Sequence, residues 1–283
     1  TFCDDRGLVD PRSPTGCALW WVDRLSGRAA DLVLLDTMEQ VEYFARSFRL
    51  PTAKFRVVPV GADDRLFTFR PQRRQCDDDP FEVLFIGKMI PLHGCETILH
   101  AAARLRDRPI HFTIIGSGQQ QALVHRLAVE LDLDNVSLLD WVDYAALPDR
   151  YARADLCLGI FGASTKAARV VPNKVYQALA VGRPVLTADS AAVRTALRPL
   201  QEVWVCRAND PADLAREIAS LADNETLCRE LASRGNQAFR RSFGLQAVAE
   251  CMLSCLEEVV RAAIPAVVEE PRRTKRQVLP SGR

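Results

Sequence analysis

Residues 81–116 read FEVLFIGKMIPLHGCETILHAAARLRDRPIHFTIIG, and this stretch decides the fold. Phe81-Glu82-Val83-Leu84-Phe85-Ile86 is a short, nearly continuous apolar run stopped by Gly87. Such a run has the character of a strand buried on both faces. Residues 95–107 then carry apolar side chains at helical spacing, and residues 110–116 form a second apolar run ending in glycine. The alternation continues downstream. It predicts strands at 135–141, 156–162, 184–188 and 202–206, and helices at 119–132, 144–154, 173–181, 190–198, 211–222 and 225–241. Six apolar strands, each followed by a helix, imply a parallel sheet covered on both faces. Right-handed crossovers then leave a doubly wound, Rossmann-like α/β lobe over residues 81–243 as the economical solution.

The flanks read differently. Upstream, a strand at 31–37, a helix at 38–48 and a strand at 54–60 are too little to enclose a core. Residues 1–63 are therefore expected to be the remnant of a preceding α/β lobe. Residues 64–80 hold Pro71, Arg73, Arg74, three consecutive aspartates and Pro80, and read as a linker. A closing helix within 244–264 is expected to pack back towards the preceding lobe. The last stretch, 265–283, carries Arg272, Arg273, Lys275, Arg276 and Arg283 without a hydrophobic period, and reads as a basic tail lacking regular structure. The sequence opens at Thr1-Phe2-Cys3 without Met or a signal-peptide core, so its start reads as cut from something longer.

Composition narrows the function. At roughly 150 residues per domain, 283 residues allow about two domains. A formal net charge of +1 argues against a dedicated nucleic-acid binder, and 48% hydrophobic with 26% charged residues excludes wholesale disorder. No apolar run approaches the roughly 20 residues of a membrane-spanning helix. Nine cysteines without a CxxC pair point to reduced thiols and a cytoplasmic protein. Cys251 and Cys255 share a helical face but have no His or acidic partner for a zinc set, so no metal site is expected. The basic tail would also suit an anionic membrane surface, which adds peripheral contact at the inner face of the membrane.

In a sheet of strand order 3-2-1-4-5-6, ligands bind at the carboxyl ends of strands one and four, where the order reverses. The loops after those strands are also the most unusual in the chain. Gly87-Lys88-Met89-Ile90-Pro91-Leu92-His93-Gly94 follows strand one, and Phe161-Gly162-Ala163-Ser164-Thr165-Lys166 follows strand four. Lys88 and His93 could face phosphate oxygens while Gly87 and Gly94 let backbone N–H groups approach. Gly116-Ser117-Gly118 after strand two is a GxG, equally a plain tight turn. It is not a dinucleotide fingerprint, and no GxxxxGK[ST] loop is present. Residues 172–184 read PNKVYQALAVGRP: Pro172 and Asn173 start a helix, Gly182 and Pro184 end it, and Lys174 and Gln177 share one face of its first turn.

These residues bear a resemblance. The chain, from about residue 30 to 245, resembles the C-terminal lobe of the GT-B fold, family 4 (group 1) nucleotide-sugar glycosyltransferases. Val58-Pro59-Val60-Gly61-Ala62-Asp63 with Phe67 is similar to the family's interlobe "PNGVD…F" segment. Gly87 to Gly94 is similar to its "GR…KG" diphosphate loop. Residues 114–118 match "IIGxG", Trp141-Val142 matches "GWV", and Asn173 to Val185 matches "NKxxExLAxGxPV". The resemblance implies a hexosyltransferase-type enzyme that moves a sugar from a UDP-, GDP- or similar nucleotide donor with retention of configuration, without metal or other cofactor. The acceptor would be a carbohydrate, lipid or small molecule. By it, Lys88 and His93 would stabilise the leaving diphosphate and Val142 would approach the base through its backbone. Phe161, Gly162, Ser164, Lys166, Asn173 and Lys174 would hold phosphates and sugar, Gln177 would face the ribose, and Gly87, Gly94, Gly116 and Gly118 would shape the loops.

The sequence departs from that pattern in places. Lys88 stands where the family usually has Arg, and His93 where it has Lys. The paired-glutamate pattern (E-x7-E) is replaced by Arg169 and Gln177, which removes a charge-assisted contact to the ribose. Two alternatives therefore accompany the transferase: a catalytically impaired nucleotide-sugar-binding or partner protein of the same fold, and a GT-B sugar-nucleotide epimerase.

Overall fold

A computed structural model describes residues 9–71 and 79–263. Its centre is a six-stranded, wholly parallel sheet built from β3 (Phe81–Ile86), β4 (Ile110–Ile115), β5 (Val136–Leu139), β6 (Leu156–Leu158), β7 (Val185–Ala188) and β8 (Trp204–Cys206). The spatial order is β5-β4-β3-β6-β7-β8, the expected 3-2-1-4-5-6 arrangement, with every neighbouring pair parallel. Successive side chains of a strand point to opposite faces, and the sheet is apolar on both. Phe81, Val83 and Phe85 join one core with α3 (Cys95–Arg104), α4 (Gln121–Glu130) and α8 (Pro211–Ala222). Leu84, Cys157 and Val185 join the opposite core with α5 (Leu147–Arg153), α6 (Asn173–Val181), α7 (Ala191–Ala196) and α9 (Glu225–Ser242). This double coverage is why the strands read as continuous apolar runs.

Upstream lies a smaller unit. β1 (Val33–Leu35) and β2 (Phe55–Val57) pair in parallel, with α2 (Met38–Phe48) between them in sequence. The sequence reading placed no element before β1, yet α1 (Pro14–Ala29) is there. Ser13 caps it, its hydroxyl accepting from the Gly16 N–H at 3.0 Å, and Pro14 sits in its first turn. Lys54 closes its other end by donating to the carbonyls of Gly27, Arg28 and Ala30. With Trp20 from α1, the residues Val41, Ala45, Phe48, Leu50 and Phe55 make a core of their own, so the upstream unit holds more than the two strands and one helix expected.

Several contacts join this unit to the large lobe. Phe67, fully buried, lies edge-on to Tyr144 and Tyr151, and the Arg70 N–H donates to the Val181 carbonyl at 3.0 Å. Residues 64–71 of the expected linker thus lie against α5 and α6, while 72–78 fall outside the described residues. α10 (Leu245–Ala263) meets β2 through the Arg56–Glu258 ion pair and through Cys251, whose thiol donates to the Val57 carbonyl. Cys255 is buried on the same helix face. The basic tail from 265 and cysteines 3 and 76 lie outside the described residues. Among the described residues no helix is long and apolar enough to cross a membrane.

Candidate functional site

The strand order reverses between β3 and β6, and the loops leaving their carboxyl ends lock together there. The Phe161 N–H donates to the His93 carbonyl at 3.1 Å, and the Gly162 N–H to the Leu92 carbonyl at 3.2 Å. Such close backbones exclude side chains. A Cβ on Gly94, which has φ +68°, would lie 2.7 Å from the Phe161 carbonyl carbon, and one on Gly162 would lie 2.4 Å from the Pro91 oxygen. Glycine is required at both positions by the fit of loop on loop.

A third loop seats the first. The Gly87 N–H donates to the Ile115 carbonyl, and the Met89 N–H to the Ser117 carbonyl, both at 2.9 Å. A Cβ on Gly116 would sit 1.9 Å from the Gly87 oxygen, and one on Gly118 would sit 2.6 Å from the Met89 oxygen. The GxG of strand two therefore contacts the neighbouring loop, and its glycines fix the position of residues 87–89.

Beneath Gly87 lies Lys174. The first turn of α6 carries this side chain inward, where it is 7% exposed. Its Nζ stands 3.6 Å from the centroid of the Phe85 ring, has no hydrogen-bond partner, and would be 2.5 Å from a Cβ on Gly87. Burial pushes the lysine down to about 7, with the Cys95 thiol as the one opposing influence. A buried ammonium held only by a ring face is poorly compensated.

His93 behaves unlike the titratable cation expected from the sequence. It is buried against the Phe85 ring, and its Nδ1–H donates to the Lys88 carbonyl. A carbonyl can only accept, so the hydrogen bond fixes the proton on Nδ1. Burial, reinforced by the Lys174 charge and only partly opposed by the hydrogen bond to the Lys88 carbonyl, pushes the imidazole down to about 3. His93 is thus neutral in this structure and contributes shape and polarity. Lys88 itself extends into solvent at the rim.

The other expected residues spread around this centre. Ser164 turns its loop by accepting from the Ala167 N–H at 3.2 Å. Burial raises the carboxyl of Asp36, at the end of β1, and the nearby Lys166 charge offsets only part of that rise. Asn173 is exposed at the start of α6. Val142 packs its side chain on the core beneath α5 and α6. Gln177, one turn beyond Lys174, is half-buried, and its Oε1 accepts from the Tyr151 hydroxyl at 2.9 Å. Arg169 faces the upstream unit: its guanidinium stacks 3.7 Å from the Tyr43 ring centroid, and its carbonyl accepts from the Thr37 hydroxyl at 2.6 Å.

Sequence reasoning missed Phe85, Tyr151 and Arg183. Arg183 is 1% exposed, and its guanidinium donates to the carbonyls of Arg70, Tyr151, Ala152 and Gly182. It thereby ties the ends of α5 and α6 to the segment arriving from the upstream unit. The signal was faint but present: a charged residue between a helix-ending glycine and a proline opens a buried strand. Among the described residues no three His, Cys, Asp or Glu side chains gather to hold a metal ion.

Residues 80–224 match the family model described as Glycosyl transferases group 1. WcaI of Escherichia coli strain K12, described as a colanic acid biosynthesis glycosyl transferase, is 31% identical over an alignment of 173 positions that covers 57% of this chain and 42% of that protein. A D-inositol 3-phosphate glycosyltransferase of Geodermatophilus obscurus is 25% identical over 270 residues, covering 86% of this chain and 57% of its own length. Among solved structures, HepE from Anabaena in complex with UDP-glucose aligns with a TM-score of 0.74 at 18% identity, covering 87% of this chain and 70% of that one. The chain spans about half the length of the curated relatives it matches.

Proposed function

This chain belongs to the group 1 glycosyl transferases of GT-B fold, and from that membership we propose that its crevice binds the diphosphate of a nucleotide-sugar donor. The whole protein then transfers the sugar to an acceptor with retention of configuration, as a hexosyltransferase without a cofactor. One observation carries the reading: the buried, unpartnered Lys174 ammonium beneath Gly87. A diphosphate is the ligand whose charge suits it, and the complex of HepE with UDP-glucose supports the donor class. In this mechanism the leaving diphosphate gains charge as the glycosidic bond breaks. Lys174 from below and Lys88 from the rim stabilise that charge, while neutral His93 holds the loop in shape.

Calorimetric titration with UDP, GDP and their glucose conjugates tests the proposal. Binding of one nucleoside diphosphate in the micromolar to millimolar range is expected, and binding of none by the complete protein would sink it. Lys88→Ala should weaken the diphosphate more than the free nucleoside; equal losses would contradict its role. Anomeric configuration of the product, read by NMR, tests retention. A second reading, nucleotide-sugar binding without turnover, is favoured by the engagement of Arg169 with Tyr43 and by the amide at 177. Sugar transfer by the complete protein excludes it, and product analysis separates transferase from epimerase.

A further inference from the structure

Gln177 has a partner that the reading above leaves unexplained. Tyr151, 1% exposed, presents its hydroxyl to the Gln177 Oε1 at 2.9 Å. Burial pushes this phenol well above its ordinary range, so it stays protonated and donates. The residue has little freedom to do otherwise. Its ring lies edge-on to Phe67, with centroids 5.9 Å apart, and its carbonyl takes a hydrogen bond from the buried Arg183 guanidinium at 3.1 Å. With Oε1 occupied by the tyrosine proton, the half-buried amide has its Nε2–H donors left for a ligand. These are uncharged donors one turn along α6 from the Lys174 ammonium, so they suit a hydroxyl oxygen beside the charged diphosphate.

We propose that Tyr151 is a positioning residue that holds the Gln177 amide with its N–H donors turned to a hydroxyl of the bound nucleotide sugar. This rests on the nucleotide-sugar reading of the same crevice. The hydroxyl belongs either to the ribose or to the transferred sugar, and both offer the same oxygen acceptor. Without the tyrosine hydroxyl, Gln177 samples several rotamers and must be ordered by the ligand itself, which weakens binding.

The test is a double-mutant cycle on the complete protein with Tyr151→Phe, Gln177→Met and the double variant, titrated with UDP, 2′,3′-dideoxy-UDP and UDP-glucose, and with the guanosine equivalents. Tyr151→Phe keeps the ring between Phe67 and α6, and thermal denaturation checks that the fold persists. Each single variant is expected to weaken the preferred nucleotide about 3- to 10-fold, the range of one net hydrogen bond, and the double variant to weaken it no further than Gln177→Met. If the hydroxyl is on the ribose, the dideoxy analogue loses less than twofold from either change. If it is on the transferred sugar, the loss appears with UDP-glucose and not with UDP. Additive losses, or losses equal across all ligands, would overturn the positioning role. Failure of the unaltered protein to bind any of these ligands would instead overturn the nucleotide-sugar reading.

Discussion

Replacing Lys174 with methionine should make the free protein more stable and the bound complex weaker. Met keeps an unbranched apolar stem beside Phe85 while removing an ammonium that has no partner. Lysine is ordinarily near 10.5, and here burial brings it to about 7. A lysine lowered on folding penalises the folded state whenever the unfolded chain binds the extra proton. The penalty is full below about pH 7 and disappears as pH rises towards 10.5. Removing a buried, uncompensated charge should therefore stabilise by roughly 1–4 kcal/mol at or below neutral pH, raising Tm by about 2–4 °C per kcal/mol. Binding should move the other way. A charge-assisted contact to phosphate contributes about 1.5–3 kcal/mol, so UDP affinity should fall about 10- to 150-fold. The ratio of wild-type to variant affinity should also shrink about tenfold between pH 6 and pH 8, as the free ammonium loses its proton. His93, near 3, stays neutral throughout that window. Calorimetry across pH, with thermal denaturation alongside, reads every quantity. A lower Tm with unchanged UDP affinity, or an affinity ratio flat with pH, would refute the reasoning.

Three further substitutions probe that charge's frame and the lobe that carries it. Gly116→Ala places a Cβ 1.9 Å from the Gly87 backbone oxygen; rigid atoms on both sides make this cost about 2–4 kcal/mol in denaturant unfolding. Gly87→Ala meets the flexible end of Lys174 at 2.5 Å at a backbone φ of +157°, so besides straining the loop it should displace the ammonium and lower UDP affinity several-fold. Arg183→Met leaves carbonyls of Arg70, Tyr151, Ala152 and Gly182 without this donor, and chemical denaturation should register a loss of about 3 kcal/mol or more.

The six-stranded lobe was legible because both sheet faces are largely buried, which turns the strands into nearly continuous apolar runs that stand out in the sequence. Helix ends were legible where local chemistry decides them. Gly182, with φ +77°, closes α6 where its glycine was read as a stop, and Pro211 opens α8 behind the Asp210 cap. The helix α1 escaped for the opposite reason. Its exposed Trp21, Val22 and Leu25 blur the amphipathic stripe, and only Ser13 with Pro14 marks its start. The meeting of the loops after strands one and four was legible, but the state of the side chains there was not. Spacing puts Lys174 at the crevice, yet only packing against Phe85 and Gly87 makes it buried and unpartnered. Likewise, nothing in the loop around His93 announces that its ring is shut away from water. The Tyr151–Gln177 contact joins two helices, and no local pattern encodes it.

The missing glutamate at 177 acquires a physical meaning once Lys174 is seen to be buried. A carboxylate at 177, three residues along the same helical face, would offer the ammonium a partner inside the protein. It would raise the lysine towards its usual range and compete with the phosphate for it. The amide at 177 cannot do this, and Arg169 instead spends its guanidinium on Tyr43 of the upstream unit. The Lys174 ammonium therefore has no partner from either position. Gln177→Glu tests the point. It should raise the lysine, flatten the pH dependence of UDP affinity between pH 6 and pH 8, and weaken binding at pH 6, where the wild-type ammonium is already charged and free. If the variant instead binds UDP more tightly at pH 6 with an unaltered pH profile, the carboxylate does not reach Lys174, and the amide must be explained by its contact with the ligand alone.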